Sequence, residues 1–369
     1  MRILFDARFT RIDQHDGISR YGASLIAAVA DRAEVAMLIS DRRQLNLLPD
    51  LPSVLVNSPL SPRELFVAQL INGLRPDVVV CPMQTMGSWG RNYPLVLTLH
   101  DLIYYQNPQP PGFLPLPVRA LWRLYHLAYW PQRLLLNRAD VVATISHTTR
   151  RLMAEHRLTR RPVRIVGNAP QATIDVRPES TEPGRDLLYM GSFMPYKNVE
   201  AIMAGMRGLD GYTLHLLSRI TAARRSELER LIPPGQQVVF HNGVSDELYQ
   251  ELLRSATALV TLSRAEGYGL PIIEAMAVGT PVIAADTAIS REVGGDAALY
   301  VDPDRPDQFT AAVRTLASPN RWHSASRAGR VQAGNYSWDQ SAEQLMAAAA
   351  IATVEYAGRT AWRRWTGRR

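Results

Sequence analysis

Two glutamates, Glu266 and Glu274, stand eight positions apart around a turn that contains Gly267, Gly269 and Pro271. A carboxylate accepts hydrogen bonds from hydroxyl groups, so a pair of carboxylates suits a polyhydroxylated ligand such as a sugar or a ribose. Glycine leaves room for a ligand to approach the backbone closely. The residue types and their spacing therefore predict a site in which both carboxylates face one pocket.

The elements predicted to hold the two glutamates are a strand and a helix. The apolar run 258–262 is short and rich in β-branched residues, which indicates a buried parallel strand. Pro271 suits a helix start, because the N–H group that it lacks would be unpaired there, and the predicted helix covers 272–278. A helix start attracts anions, so the amides around Gly269 and Leu270 are expected to hold a nucleotide sugar.

The stretch 261–282 closely resembles the donor-binding motif of the retaining glycosyltransferases of family 4, which contains two glutamates at this spacing. The resemblance continues through 279–284 and 292–303. It implies that Glu274 binds the ribose and that Glu266 contacts the transferred sugar. It also implies the α/β class and the GT-B fold, in which two Rossmann-like domains face each other across a cleft, and retention at the anomeric carbon. An ordinary helix with exposed glutamates is the alternative.

The second half of the chain offers candidate cations for a leaving diphosphate. Lys197 lies at a predicted strand-to-helix junction, where an ammonium group adds positive charge to the free helical N–H groups. Family 4 enzymes usually carry an arginine just before this position, but Ser192 and Tyr196 occupy the expected places here. Arg219, which follows the predicted strand 213–217, is therefore the candidate for the second cation.

Gly243 and Val244 complete the predicted donor site. They begin a Gly-Val-Ser-Asp-Glu-Leu sequence that resembles the family turn whose backbone lies near the nucleotide base. No metal and no further cofactor are expected, because fixed cations and amide groups can stabilise the developing negative charge. Asp302 and Asp304 resemble a metal-binding pair, but they fall in a Val-Asp-Pro loop of the family and are interpreted as structural.

The beginning of the chain carries a second strand–glycine–helix junction. The predicted strand 3–6 leads to Gly17, and the residues that follow have helical spacing. This junction again offers free N–H groups to an anion. The resemblance places Gly17 and Ile18 beside the donor diphosphate and the acceptor. A plain loop is the alternative.

A histidine follows another predicted strand of the first half. The strand 96–101 delivers His100 and Asp101 to its carboxyl end, where ligands bind in open α/β sheets. The matching family segment lies on the donor-sugar side of the cleft. His100 therefore joins Glu266 and Lys197 as a candidate catalytic residue, with a structural histidine as the alternative. Asp101 either orients the histidine or fixes the loop.

The chain of 369 residues is too long for one ordinary core and is expected to form two domains. The predicted linker, 169–184, is rich in Pro, Thr, Ser and acidic residues. It separates an acceptor-side Rossmann-like domain, 1–168, from a nucleotide-sugar-binding domain, 185–340. An alanine-rich sequence predicts a helix over 341–357, which by the resemblance crosses back to the first domain and leaves a basic tail, 358–369.

The composition, with 46% hydrophobic and 20% charged residues, is typical of a folded protein. The single cysteine, Cys81, excludes an internal disulfide and a thiolate zinc site. Apolar runs of signal-peptide or membrane-span length are lacking, which predicts a cytoplasmic protein. The net charge of +7 indicates an anionic partner, either an anionic substrate or the inner face of the cell membrane.

Two segments mix aromatic and basic side chains. The predicted helix 118–137 carries Trp122 and Trp130 among interleaved arginines, and the tail 358–369 is basic and contains tryptophan. Such a composition suits a peripheral contact with an anionic membrane, where lipid-linked acceptors are found. The alternatives are a core helix with solvated arginines and a disordered end.

The segments 6–8, 17–21, 100–103 and 197–198 together look most like bacterial mannosyltransferases that use GDP-mannose. The resemblance therefore implies transfer of a hexose from this nucleotide sugar to a lipid-linked or cell-envelope glycan, with glucosyl, rhamnosyl and N-acetylhexosaminyl transfer as open alternatives. Nucleic acid is not an expected partner. Two other functions stay open: a nucleotide-sugar epimerase or phosphorylase on the same fold, and a non-catalytic basic protein that binds membrane or nucleic acid.

Overall fold

The structure is a computed structural model that describes residues 1–110, 116–171, 176–178 and 180–366. The chain forms two compact units. Unit 1 comprises Met1–Asn168 and Trp338–Arg369, and unit 2 comprises Ala169–Ser337. Each unit contains one parallel sheet with helices between successive strands, which confirms the predicted α/β class and the two Rossmann-like domains.

The sheet of unit 1 has seven parallel strands in the order β3-β2-β1-β4-β5-β6-β7. These strands are β1 (Arg2–Asp6), β2 (Glu34–Ile39), β3 (Ser53–Leu55), β4 (Val78–Cys81), β5 (Leu95–Leu99), β6 (Val141–Thr144) and β7 (Val163–Ile165). The three strands β4, β5 and β6 are buried along their whole length. Their largely apolar sequences suit this burial, because helices cover both faces of a parallel sheet.

The α-helices of unit 1 that precede unit 2 are α1 (Gly17–Ala30), α2 (Val67–Leu74), α3 (Ile103–Gln106), α4 (Leu116–His126), α5 (Trp130–Leu136) and α6 (His147–Glu155). Helix α1 buries Leu25, Ile26 and Val29, which recur at helical spacing. The hydroxyl of Tyr21 on the same helix donates to the carbonyl of Val166, at 3.1 Å. These contacts fix α1 on the sheet.

The sheet of unit 2 has six parallel strands in the order β10-β9-β8-β11-β12-β13. These strands are β8 (Asp186–Tyr189), β9 (Thr213–Leu216), β10 (Gln237–Phe240), β11 (Ala258–Thr261), β12 (Val282–Ala285) and β13 (Leu299–Val301). The helices are α7 (Val199–Gly205), α8 (Ala222–Glu229), α9 (Asp246–Ser255), α10 (Leu270–Val278), α11 (Ala288–Gly294), α12 (Pro306–Leu316) and α13 (Pro319–Ala333). In the core of this unit, buried Trp322 donates its indole N–H to the carbonyl of Thr257, at 2.8 Å.

The last helix, α14 (Trp338–Thr366), belongs to unit 1. It buries five small or aliphatic side chains against that unit, namely Ala342, Leu345, Ala348, Ala349 and Ala352. The structure differs here from the predicted division into a helix, 341–357, and a separate tail, 358–369, because the helix continues to Thr366. The guanidinium of Arg359 pairs with Asp140 and donates to the carbonyl of Ala139. The first part of the predicted tail is therefore a packed helix end.

The predicted linker 169–184 also differs from the structure, which includes it in unit 2. Residues 172–175 and 179 lie outside the described residues. Arg177 is buried, and its guanidinium donates to the carbonyls of Leu253 and Ala256, at 2.6 and 2.9 Å. Loss of water around this group lowers the pKa of Arg177 to about 10. Backbone carbonyls at the end of α9 thus hold this part of the linker in place.

Within the described ranges, we find no helix with both the length and the apolar character needed to cross a bilayer.

Candidate nucleotide-sugar site

The strand order of unit 2 reverses direction between β8 and β11. In open parallel sheets, ligands bind beyond the carboxyl ends of the strands at such a reversal, because the loops there diverge and leave a crevice. The loops in question are 190–198, which follows β8, and 262–269, which follows β11. The sheet topology therefore brings the predicted phosphate cation and the predicted glutamate motif to the same edge.

The two loops meet through an ion pair between Lys197 and Glu266. The ammonium nitrogen lies 2.6 Å from a carboxylate oxygen, and each side chain is 14% exposed. Both groups had been predicted to contact the donor, but their spacing in the sequence gave no sign that they pair. Lys197 is also the only lysine in the sequence.

Asn198 holds the loop that carries Lys197. Its backbone is left-handed, with φ of 55°, and its buried side-chain amide donates to the carbonyls of Leu262 and Pro303, at 3.1 and 2.7 Å. The backbone N–H of Arg264 also donates to the carbonyl of Tyr196, at 2.8 Å. The ends of β8, β11 and β13 are thereby tied together. Sequence analysis had not assigned this positioning role to Asn198.

Helix α10 begins beside this ion pair, two residues earlier than predicted. Gly269 precedes it in the left-handed conformation, with φ of 94°, a value that favours glycine. Gly269 has no side chain that could cap this helix start, and Pro271 lies in its first turn. At the other end, Gly279 has φ of 95° and ends the helix, as the sequence predicts. The uncapped start, with Gly267 in the preceding loop, presents backbone amides to a ligand.

Glu274 lies on α10 and accepts a hydrogen bond from the hydroxyl of Tyr249 on α9, at 3.2 Å. The two predicted ligand-binding carboxylates thus have different partners, Tyr249 for Glu274 and Lys197 for Glu266. A small surface pocket adjoins Glu274. Its lining consists of Gln171, Tyr249, Gln250, Leu253, Glu274 and Val278. Tyr249 is a candidate site residue that the motif alone did not reveal.

The loops after β9 and β10 bring Arg219 and Gly243 together. A Cβ atom on Gly243 would lie 3.0 Å from the Cγ atom of Arg219, and Gly243 has φ of 104°. The N–H of Gly243 donates to the carbonyl of Leu217, at 2.9 Å. Arg219 itself is exposed, and Val244 follows at partial exposure. The role of Arg219 as a second phosphate cation stays a prediction.

In unit 1, an anion was predicted to bind at the start of α1, but the carboxylate of Asp16 already caps this helix. Helix α1 begins at Gly17, and the side chain of Asp16 accepts the N–H of Ser19, at 2.9 Å. Asp16 also pairs with Arg11, at 2.6 Å. One of the free amide groups is therefore occupied, which weakens the case for an anion there. The predicted contacts of Gly17 and Ile18 with the donor stay predictions.

His100 follows β5, as predicted. Its Nε2 atom lies 2.7 Å from the carbonyl oxygen of Pro82, and its ring contacts the edge of Tyr21, with centroids 5.1 Å apart. A carbonyl only accepts, so Nε2 carries the proton and Nδ1 is the acceptor of the neutral ring. Burial lowers the pKa of His100. Asp101 accepts the N–H of Ile103 at 3.0 Å and thereby fixes the loop.

The carboxylates of Asp302 and Asp304 have local partners. Asp302 accepts the N–H of Asp304 at 2.9 Å, and Asp304 pairs with Arg264 at 2.5 Å. Both contacts are those of a structural loop. In the part of the chain that the structure describes, no group of three or more His, Cys, Asp or Glu side chains is placed to hold a metal ion.

Both halves of the chain match family models of glycosyltransferases. Residues 16–169 match the family model described as Glycosyltransferase Family 4, and residues 184–318 match the model described as Glycosyl transferases group 1. With a two-sheet parallel fold and this donor motif, the chain belongs to the family 4 glycosyltransferases. The predicted family is confirmed.

Curated relatives match part of the chain. O-antigen chain mannosyltransferase B of Escherichia coli is 30% identical over 43% of this chain and 44% of that protein. O-antigen chain mannosyltransferase RfbU of Salmonella typhimurium is 28% identical over 50% of this chain and 53% of that protein. The matched segments thus span about half the length of these relatives.

Solved structures match nearly the whole chain. HepE of Anabaena, in complex with UDP and glucose, aligns with a TM-score of 0.68 over 93% of this chain and 98% of that one, at 14% identity. Sucrose-phosphate synthase of Thermosynechococcus elongatus aligns with a TM-score of 0.67 over 93% and 97%, at 18% identity. At these identities the likeness defines the fold alone, which is the predicted GT-B fold.

Proposed function

We propose that this protein is a retaining glycosyltransferase that moves mannose from GDP-mannose to a lipid-linked or cell-envelope glycan. The observation that carries the proposal is the Lys197–Glu266 pair at 2.6 Å, held beside the uncapped start of α10 where the strand order of unit 2 reverses. The cation and the backbone amides at this edge suit a diphosphate, and the carboxylates of Glu266 and Glu274 suit the hydroxyls of the sugar and the ribose.

Departure of GDP is the step that this arrangement would assist. Negative charge builds on the leaving diphosphate as the bond to the anomeric carbon breaks, and a preorganised cation stabilises that charge. Lys197 supplies the cation, while Glu266, at hydrogen-bond distance from it, accepts from a sugar hydroxyl. The amides of Gly269 and Leu270 add neutral donors. Arg219 is the proposed second cation, and no metal takes part in the proposed reaction.

The ribose is proposed to lie at Glu274. Tyr249 already donates to this carboxylate, at 3.2 Å, which keeps it oriented toward the adjoining pocket. An ionised carboxylate has enough lone pairs to accept from Tyr249 and from ribose hydroxyls together. Gly243 and Val244 are assigned to the base on the family resemblance. His100, with Gly17 and Ile18, is included on the same ground.

The donor and the acceptor are proposed from similar proteins. Two relatives of this chain are named O-antigen chain mannosyltransferases, and a third is an MMP alpha-(1->4)-mannosyltransferase of Mycolicibacterium hassiacum, 34% identical over 37% of this chain. The three names support mannose as the transferred sugar, and the two O-antigen names support a glycan chain as the acceptor. A lipid-linked acceptor requires contact with a membrane surface, which is part of the proposal.

The test is a panel of GDP- and UDP-sugars, assayed for release of nucleoside diphosphate with membrane extract as the acceptor source. We expect release from GDP-mannose that depends on the extract. Equal turnover without any acceptor would instead indicate an epimerase or phosphorylase. No release from any donor, together with salt-sensitive binding to nucleic acid, would contradict the proposal.

A further inference from the structure

Helix α4 of unit 1 has an aromatic face packed against the protein. The ring of Trp122 lies 4.9 Å from that of Tyr104, and the ring of His126 lies 5.0 Å from that of Tyr105. The hydroxyl of Tyr125 donates to the side-chain carbonyl of Gln132 on α5, at 2.6 Å. The amphipathic side chains of α4 thus hold the helix in place.

The opposite face of α4 consists of exposed leucines. We define the leucine face as Leu116, Leu121, Leu124 and Leu127, whose exposed fractions are 76%, 68%, 63% and 74%. None of the residues of α4, all of which the structure describes, is buried. In most surface helices the leucines pack against the core and polar side chains face water, whereas in α4 the leucines face water. Soluble proteins rarely expose a contiguous apolar surface without a binding function.

Helical spacing places these leucines on one side. At 3.6 residues per turn, Leu116, Leu121 and Leu124 project within an arc of about 140°, and Leu127 follows directly after the helix. The next helix, α5, also carries exposed apolar side chains. Trp130 is 64% exposed and Leu134, four residues later, is 51% exposed. An indole at such a position favours the boundary between lipid and water.

The charge around the leucine face distinguishes between possible partners. No Asp or Glu occurs between Asp101 and Asp140, whereas the same segment contains four arginines. They are Arg119, Arg123, Arg133 and Arg138. A purely apolar contact with a second copy of the chain would place like charges against each other. An anionic lipid surface instead complements both the leucines and the arginines.

We infer that the leucine face of α4 docks unit 1 on an anionic membrane, with the leucines in the acyl boundary and Arg119 and Arg123 at the headgroups. The inference names the membrane partner of the proposed lipid-linked acceptor and to that extent rests on the proposed function. The binding itself requires no donor turnover, so the two can fail separately.

The test is sedimentation of the full-length protein with vesicles of phosphatidylcholine alone and with vesicles enriched in phosphatidylglycerol. We expect binding to the anionic vesicles. Leu121→Gln with Leu124→Gln should lower the partition coefficient by at least about tenfold, because two apolar side chains no longer enter the lipid. Arg119→Gln with Arg123→Gln should lower it about fivefold for each arginine, on anionic vesicles only.

Leu60→Gln and Val331→Gln are the matched controls, since these side chains are 96% and 76% exposed elsewhere and should leave vesicle binding unchanged. Thermal melting of every variant checks folding, and binding of GDP-mannose without vesicles reports on the donor site separately. Wild-type protein that ignores anionic vesicles, or leucine variants that bind as well as wild type, would overturn the inference. So would a wild-type dimer in sedimentation velocity that the leucine variant converts to a monomer.

Discussion

Lys197 is the single lysine in the sequence, and the other basic side chains are arginines and histidines. An ammonium group is a compact point charge, whereas a guanidinium presents a planar fork of donors. The ion pair with Glu266, at 2.6 Å, compensates a charge that is only 14% exposed and fixes its position. A diphosphate that reaches this edge therefore finds a cation already held in place.

Replacing Lys197 tests this role. We expect Lys197→Ala to lower kcat/KM for the nucleotide sugar by about 100- to 1,000-fold, the usual loss when one preorganised stabilising group is removed. Lys197→Arg should restore part of this loss, because charge returns with a different shape. Arg305→Ala is the control, since that side chain forms an exposed pair with Asp307 at 2.8 Å. Turnover by Lys197→Ala within a factor of about two of wild type would contradict the assignment.

His100 predicts a pH dependence of stability. Burial lowers its pKa below the ordinary 6.5, so the unfolded chain takes up a proton at higher pH than the folded protein does. The unfolded state then holds more protons, so the stability is full above about pH 6.5 and declines as the pH falls further. His100→Gln keeps a donor for the Pro82 carbonyl and should flatten that decline. Urea midpoints from about pH 7 to about pH 5 measure it, and an unchanged decline would count against the buried neutral ring.

At the scale of elements, the site depends on the loop after β8. Asn198 adopts a left-handed backbone and donates to two carbonyls, so it fixes both the direction of the chain and the start of α7. Lys197 directly precedes Asn198, so the fixed backbone of Asn198 also determines where Lys197 lies. A small change in this loop therefore affects a charged group that needs accurate placement.

Asn198→Gly isolates the side-chain contribution, because glycine accepts the left-handed backbone without strain. One buried carbonyl, that of Leu262, and one partly buried carbonyl, that of Pro303, lose their donor, so we expect the free energy of unfolding to fall by about 1–3 kcal/mol, with a parallel loss of donor turnover. Asn242→Gly is the comparison, since it has the same φ of 55° but an exposed side chain that accepts the N–H of Ile220, at 3.1 Å, and is not placed to donate to a buried carbonyl in the donor loop. Equal destabilisation by the two substitutions would show that the backbone, rather than the side chain, is responsible.

Local patterns predicted the strand before Glu266 and the glycine that ends α10, because apolar runs and left-handed glycines act through neighbouring residues. They could not predict the pairing of Lys197 with Glu266, which depends on two strands becoming neighbours across the sheet. They missed Tyr249 for the same reason. Composition also could not show that carbonyls at the end of α9 bind the guanidinium of Arg177 within the predicted linker.

At the scale of the molecule, the chain forms unit 1, then unit 2, and returns to unit 1 with α14. The alanines of this helix let it lie close to the sheet, since Ala348, Ala349 and Ala352 are fully buried. Unit 1 therefore includes sequence from both ends of the chain. Truncation or overpacking of α14 should affect unit 1 while the proposed donor site of unit 2 keeps its structure.

Two adjacent alanines provide a matched pair for this expectation. Ala349 is fully buried, whereas Ala350 is exposed. Ala349→Leu should lower the free energy of unfolding by about 1–3 kcal/mol through overpacking, and Ala350→Leu should change it by less than about 0.5 kcal/mol. Chemical denaturation measures both. Nucleotide binding by unit 2 should be the same in the two variants, and its loss in Ala349→Leu alone would contradict the separation of roles.

The most direct test of the account uses the single lysine. An amine-reactive reagent can modify only Lys197 and the amino terminus in this sequence, and mass spectrometry separates the two sites. If the nucleotide sugar binds at the Lys197–Glu266 edge, GDP-mannose at ten times its Kd should slow modification of Lys197 by about tenfold. Modification of the amino terminus should not change. Equal rates at Lys197 with and without every GDP- and UDP-sugar tested would contradict the proposed donor site.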